Sequence, residues 1–401
     1  MTMSYCMGKA NKLIKELLRL AHLEIIFIGL VCFCFISFIW TIIFAGMIIT
    51  EILYRILYYC FIDKDNKCNF QKGLVSITIV TWNAEDYIAA CLRSIRLQKY
   101  PYIEVIIVDN NSSDKSLECL ESHIANNHLD VKIIKNKKNV GFSKAHNQAI
   151  YVSKGEYVFP LNFDVCISES FIENMVREMK LNNKIGISSG KLFNSIKKGE
   201  ESILDTTGVE LRNLFCCDRG QGDIDKGQFD KKEYIFGASG CAPFYRREML
   251  EDIKLNGEYF DETFNTYVED VDLSWRAQIR GWKCLYNPSA VAFHHRGVTR
   301  KRQDEAKKII YKNYFIQGFR NRYLMILKNL SIATFIRKFR FIIWGEFKFW
   351  TGVFSTKRHF YAKFIVGFIL LFPIILIKRV CTQNGVKIRA SELELLLHWI
   401  S

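Results

Sequence analysis

Three clusters of oxygen- and nitrogen-bearing side chains stand out along this 401-residue chain. The first is Thr81, Asn83 and Glu85, joined by DNNSSD at 109–114, each set following an apolar run. A carboxylate such as Asp109 can accept hydrogen bonds from a ribose hydroxyl or a base N–H, and turn residues such as Asn111 can read the rest of a nucleotide. DNNSSD is equally an ordinary turn and helix cap. The second cluster is Asn162-Phe163-Asp164, directly after the apolar stretch 157–161. A carboxylate there can bind Mg2+ or Mn2+, hard ions that take oxygen ligands together with phosphates. It also reads as a strand-to-helix turn with Ser168 capping the next helix. The third cluster is FNTYVEDVDLSWR at 264–276, where Glu269, Asp270 and Asp272 open a helical pattern that runs on to Ile279. Acids in a first turn complement the helix dipole, or one of them serves as a general base for an attacking hydroxyl. His294-His295 follows the apolar run 290–293 and is either structural or a completing metal ligand.

These groups need a scaffold that brings strand ends together. Apolar, β-branched runs at 74–80, 103–108, 131–134 and 156–161 predict four strands, with helical spacing over 85–97 and a helix capped by Asp114 between them. Strands alternating with helices imply right-handed βαβ units and a parallel sheet, whose carboxyl ends bind ligands.

Composition bounds the rest. A hydrophobic content of 49% with 24% charged residues excludes a disordered or collagen-like chain. The thirteen cysteines include no CxxC pair, so the chain reads as reduced and cytosol-facing, with the adjacent Cys216 and Cys217 as plain thiols. Residues 25–50 carry no charge over 26 positions, long enough to cross a bilayer. Lysines and arginines flank that segment evenly, so they leave its orientation open. Helical spacing returns at 311–330 and 335–350. Residues 364–377, with Pro373 and between Lys363 and Lys378, are short for a span and predict an interfacial or re-entrant helix. The formal charge is +15, and residues 296–379 alone hold nineteen Lys and Arg against three acids. The excess therefore sits in an aromatic-rich helical segment, which points to an anionic membrane surface and not to nucleic acid.

Taken in order, the motifs VSITIVTWN (75–83), IEVIIVDNNSSD (103–114), NVGFSKAHNQAI (139–150), GEYVFPLNFD (155–164), FGASGCAPFYRREML (236–250), YVEDVDLSWRAQIRGWK (267–283), AVAFHHRG (290–297) and RNRYLMILKN (320–329) resemble family-2 glycosyltransferases of GT-A fold. The resemblance is greatest to the rhamnosyltransferase-like branch of cell-surface polysaccharide synthesis, and it covers residues 74–329. It implies an α/β GT-A domain with a mostly parallel central sheet at 74–300. Around that domain would lie a basic segment (1–24), a transmembrane or re-entrant helix (25–50), a linker (51–73), basic amphipathic helices (301–380) and a tail (381–401). It implies that Thr81, Asn83, Glu85, Asp109 and Asn111 contact the nucleoside of a UDP-, dTDP- or GDP-linked sugar, and that Asn139, Gly141 and Asn147 lie beside the diphosphate and sugar. Asp164 would hold Mg2+ or Mn2+ with His294, or with His295 of the doublet. The family's Asp-x-Asp is here Asn162-Phe163-Asp164, without its first carboxylate. Asp270 takes the place of the catalytic base. Asn162, Gly240, Glu269, Trp275 and Arg276 would line the donor and acceptor pocket. The implied reaction is an inverting transfer to a lipid-linked glycan at the cytoplasmic face of a membrane. A polyprenyl-phosphate sugar synthase is the alternative, although the long segment 191–234 with Asp205, Gly208 and Arg219 fits the polysaccharide branch better. A basic nucleic-acid-binding protein is the remote one.

Overall fold

A computed structural model describes residues 34, 36–50, 70–127, 131–194, 202–296, 305–356 and 360–399. The expected segment 1–24, residues 25–33 and 35 of the helix expected at 25–50, most of the linker at 51–73, and residues 297–304 lie outside the described residues.

Among the described residues the first helix is α1 (Ile36–Thr50). The chain continues through β1 (Gln71–Thr81), α2 (Ile88–Arg96), β2 (Ile103–Asp109), α3 (Ser116–Asn127), β3 (Val131–Lys135), α4 (Phe142–Val152) and β4 (Gly155–Pro160). Next come β5 (Val165–Ile167), α5 (Phe171–Leu181), β6 (Ile185–Asn194), and three short strands, β7 (Leu204–Thr206), β8 (Val209–Arg212) and β9 (Phe215–Asp218). Then β10 (Glu233–Ile235), β11 (Phe244–Arg246), α6 (Arg247–Ile253), α7 (Glu269–Ile279) and β12 (Lys283–His294) complete the α/β part. The chain ends in α8 (Glu305–Asn329), α9 (Ile332–Thr356), α10 (Phe360–Asn384), α11 (Ala390–Leu396) and β13 (Leu397–His398).

The main sheet has the order β10-β12-β6-β11-β4-β1-β2-β3, with β5 on β12 and β7 on β6. Strands β3, β2, β1 and β4 run parallel, as the βαβ pattern requires. β11 enters antiparallel between β4 and β6, while β6 and β12 are again parallel. The class is therefore α/β with a mostly parallel sheet, as the sequence predicts. Both faces of β1 are buried, yet they differ. Val75, Ile77 and Ile79 join an apolar core with Ile88, Leu92 and Phe171. Ser76 and Thr78 face the other way and bond Glu104 (2.6 Å) and the buried His146 ring (3.1 Å). Burial pushes the His146 pKa down to about 3, so that ring is a neutral structural partner.

The C-terminal helices are built into the α/β part. One apolar core holds Phe264, Val271 and Trp275 together with Leu324, Leu327, Trp350 and Phe368 from α8–α10, and Trp40 and Ile43 from α1. Beneath α7 the contact is ionic. Asp261 and Asp272 are buried, and Lys328 of α8 pairs with both, at 2.9 Å to Asp272. Lys378 of α10 reaches Asp261 and Glu258 (2.7 Å), Arg276 pairs with Asp272 (2.9 Å), and Asn329 donates to Asp272 (2.8 Å). Burial alone would raise Asp261, but Lys328 and Lys378 hold its carboxyl far below the usual carboxylate range.

This network shows where the helix expected around 364–377 ends. Helix α10 does not stop at Lys378; it runs to Asn384 through Pro373, and 364–384 is long and apolar enough to cross a membrane. The reason is that Lys378 and Arg379 are not solvent-facing flanks. Lys378 is spent on Asp261, and Arg379 donates to Thr50 and to the Leu327 and Leu330 carbonyls.

Removing one cation leaves two buried carboxylates underpaired. Lys328→Met should lower the unfolding free energy by ~3–5 kcal/mol, read from urea midpoints of the full chain in detergent. A loss below about 1 kcal/mol, the level of an exposed pair, would mean that the network does not carry this packing.

Candidate active site

The carboxyl ends of β1 and β2 form a bonded turn. Thr81 Oγ1 donates to Asp109 Oδ1 at 3.3 Å, and Asp109 Oδ2 accepts the Ser112 N–H at 3.2 Å. Asn83, in the left-handed region at φ 55°, accepts the Ser113 N–H (2.9 Å), and Glu85 accepts that of Lys115 (2.9 Å). Asn111 is also left-handed and exposed, at φ 64°. Thr81, Asn83, Glu85, Asp109 and Asn111 thus share one strand-end wall, with Asn83, Glu85 and Asn111 facing solvent.

Asn110 ties that wall to the next loop. This buried residue donates to Asn139 (2.9 Å) and Gly141 O (3.3 Å) and accepts the Val140 N–H (3.0 Å). Gly141 sits at φ 87°, and a Cβ there would lie 1.6 Å from Asn265 Oδ1, so only glycine allows the two loops to meet. Asn147 is used differently from the expectation. It is buried, and its amide brackets the Phe260 backbone (2.8 and 2.9 Å) and reaches Glu262 (3.2 Å).

The metal-type cluster follows from strand register. β5 pairs with β12 so that His294 lies opposite Val165, beside the buried Asp164. His294 Nε2 is 3.3 Å from Asp164 Oδ1, and Nδ1 is 2.8 Å from Asp205 Oδ2. His295, one residue on, instead lies 3.9 Å from the Cys166 thiol and against the Tyr87 ring. Of the doublet, it is the His294 ring that lies against the Asp164 carboxylate. Burial opposes a charged imidazole, but the bonds to Asp164 and Asp205 raise the His294 pKa well above the ordinary range. Asp205, His294 and Cys241 also form a group with ligand-like spacing. Burial pushes the Cys241 thiol up, which leaves it a poor ligand for a hard ion. Asp164 with His294 Nε2 is the better fit to Mg2+ or Mn2+. In that arrangement Asp205 on Nδ1 is the orienting partner that metal-bound histidines commonly have.

Asp270 stands at the start of α7. Its Oδ2 accepts the Gly240 N–H (2.6 Å) and its Oδ1 that of Val271 (2.8 Å). Burial raises its pKa to about 6; those two backbone bonds pull it down, and nearby Asp218 pushes it up. The next residue after Gly240, Cys241, accepts the Asn162 N–H through its carbonyl (2.9 Å). Residues 240–241 therefore join the Asp270 carboxylate to the Asn162–Asp164 turn. Asp218, at the end of β9, contacts Arg296 (3.6 Å), which also pairs with Asp205. Sequence inspection did not single out Asp218.

Three expected pocket residues are not brought to the cleft. Trp275 is fully buried in the core shared with the C-terminal helices. Arg276 is buried on Asp272 and the Ile253 and Tyr259 carbonyls (2.6 and 2.7 Å). Glu269 is buried beside Asp270, and its Oε2 has no partner among the described residues. Burial first, then Asp270, raise its pKa well above the glutamate value.

Residues 76–254 match the family model Glycosyl transferase family 2. Over that stretch, less than half of its length, the chain is similar to family 2 glycosyltransferases. The match spans the strand-end wall, the Asn162–Asp164 turn and Gly240, and it ends before Asp270 and His294. The poly-beta-1,6-N-acetyl-D-glucosamine synthase of Staphylococcus epidermidis is 25% identical over 224 residues, 55% of this chain and 49% of that one. The Staphylococcus aureus synthase of the same name is 25% identical over the same shares. The chain thus spans about half the length of the curated relatives it matches. Among solved structures, S. aureus TarS 1-349 in complex with UDP-GlcNAc is 20% identical with a TM-score of 0.49, covering 78% of this chain and 89% of that one.

Glu269 gives a test of site electrostatics. Because its folded pKa is raised, its favourable contribution is complete below the ordinary glutamate pKa and is lost as pH rises toward the folded value. Glu269→Gln, a mimic of the neutral acid, should therefore gain stability over the parent at about pH 8 and not at about pH 4, by urea titration. Equal stability changes at both would mean that the carboxyl is ionised or paired.

Proposed function

We propose that the chain is an inverting glycosyltransferase that moves a sugar from a UDP-, dTDP- or GDP-linked donor to a hydroxyl of a lipid-linked glycan. The single observation that carries this is Asp270: a partly exposed carboxylate, pinned by two backbone N–H groups, with its pKa near 6. A base with that pKa is ionised at neutral pH yet strong enough to take a proton from a hydroxyl as the oxygen attacks. Glu269, buried and held neutral, is unsuited to that role.

The strand-end wall of Thr81, Asn83, Glu85, Asp109 and Asn111 offers acceptors for the nucleoside, and Asn139 and Gly141 shape the loop toward the sugar. Asp164 and His294 would hold Mg2+ or Mn2+, with Asp205 fixing the imidazole. When bound, that ion supplies charge neutralisation for the departing nucleoside diphosphate. Asn162 in place of a first carboxylate supports the rhamnosyltransferase-like branch. The relatives' name, a poly-N-acetylglucosamine synthase, supports a surface-glycan product more generally.

A membrane setting is supported by exposed apolar side chains on two basic-flanked helices. Ile336, Phe339 and Trp344 are exposed on α9, and Ile369, Leu370 and Ile377 on α10. With the catalytic part facing the cytosol, this would hold the site over a lipid-linked acceptor. The full chain should float with anionic vesicles in excess over neutral ones at low salt; equal binding to both would remove the electrostatic component.

Turnover tests the chemistry. With a donor screen scoring nucleoside diphosphate release, Asp270→Asn should lower kcat ~10²–10⁴-fold and leave donor binding intact. In the parent enzyme kcat/KM should fall as pH drops through about 6, where Asp270 protonates. Parent-level turnover in the asparagine variant, or product with retained anomeric configuration, would overturn the assignment.

A further inference from the structure

Asn321 lies on α8, beyond the matched residues, and it is fully buried. Its side-chain amide donates to three consecutive-turn carbonyls: Phe264 (2.8 Å), Thr266 (2.9 Å) and Tyr267 (2.9 Å). Gln317, one helical turn earlier, adds a longer bond to Phe264 O at 3.4 Å. The Arg320 guanidinium donates to Asn321 Oδ1 at 2.9 Å, which fixes the end of the amide that faces the turn.

The turn so held is strained. Asn265, Tyr267 and Val268 all lie in the left-handed region, at φ 63°, 67° and 75°. A β-branched valine there is an outlier that persists only when its surroundings over-determine it. Val268 is also the residue from which α7 starts, and Asp270 follows two positions later. The same turn touches the donor-side loop, since Asn265 O accepts the Ser143 N–H at 3.0 Å.

We infer that Asn321 is a positioning residue for the transfer: by gathering three carbonyls of the 264–268 turn, it sets the direction in which Asp270 leaves the first turn of α7. This rests on Asp270 being the base. A side chain of α8 would then hold the reacting geometry without touching either substrate.

The test uses the full chain in detergent with three variants: Asn321→Ala, Val268→Gly and the two combined. Asn321→Ala should lower kcat ~10²-fold per folded molecule while donor KM stays within about twofold. Its acid limb should also move to higher pH, because a displaced Asp270 loses the Gly240 and Val271 N–H bonds that hold its pKa down. Val268→Gly relieves the left-handed strain, so the combined variant should recover about tenfold of the lost kcat. A merely structural Asn321 would lower the folded fraction and leave kcat per folded molecule and the acid limb unmoved, which overturns the inference. If the alanine variant does not fold, Asn321→Ser, which keeps one donor, is judged on the same two readouts. A parent chain that releases no nucleoside diphosphate from any donor would instead overturn the transferase reading. The clamp is then judged by hydrogen–deuterium exchange over 264–272: faster exchange in Asn321→Ala supports it and unchanged exchange overturns it.

Discussion

Two buried carboxylates, Asp261 and Asp272, impose the constraint around which this molecule is arranged. Neither can stay ionised in an apolar interior without cations at contact distance. Only Arg276 is supplied by α7 itself; Lys328 and Lys378 come from helices far along the chain. The C-terminal helices are therefore not an appendage to a finished α/β domain. They complete it electrostatically, and the shared apolar core around Trp275 follows from the same docking.

That docking places α8 where its polar residues can work on the segment before α7. A helix beginning on a left-handed valine is locally unfavourable, and it survives because neighbouring elements hold both sides of the turn. On one side the Gly141 loop approaches Asn265; on the other α8 supplies Asn321. Asp270 thus sits where the family-matched part of the chain meets the part outside it. Gly240 belongs to the first, Asn321 to the second.

Much of this was legible in the sequence, and the failures have physical causes. Continuous apolar, β-branched runs marked β1, β2 and β4 because those strands are buried on both faces, β3 is the half-buried edge strand, and the polar strand ends fall where the parallel order puts them. The Asp164–His294 approach needed the β5–β12 register, which no local pattern encodes. Asp205 and Asp218 come from strands of three and four residues, too short to leave a period. Trp275 and Arg276 were expected in a pocket on the premise that α7 has a free face. Nearly every side chain of α7 is buried, because the sheet covers one side and the C-terminal helices the other. The helix at 364–377 continues past Lys378 for a related reason: charges that end an apolar run usually mark the water interface, whereas Lys378 and Arg379 bond Asp261 and backbone carbonyls.

The +15 formal charge changes meaning on this frame. Part of the basic C-terminal excess is internal, neutralising Asp261, Asp272 and Glu346. Of the rest, Arg337, Arg340 and Lys348 are exposed on α9, the helix that also exposes Ile336, Phe339 and Trp344. The most direct measurement is a structure of the full chain with Mn2+ and a nucleoside-diphosphate sugar bound. A transferase built in this way would place the diphosphate beside the Asp164–His294 pair, with the anomeric carbon open toward Asp270. A diphosphate seated elsewhere, or an Asp270 carboxylate turned away from the sugar, would contradict it.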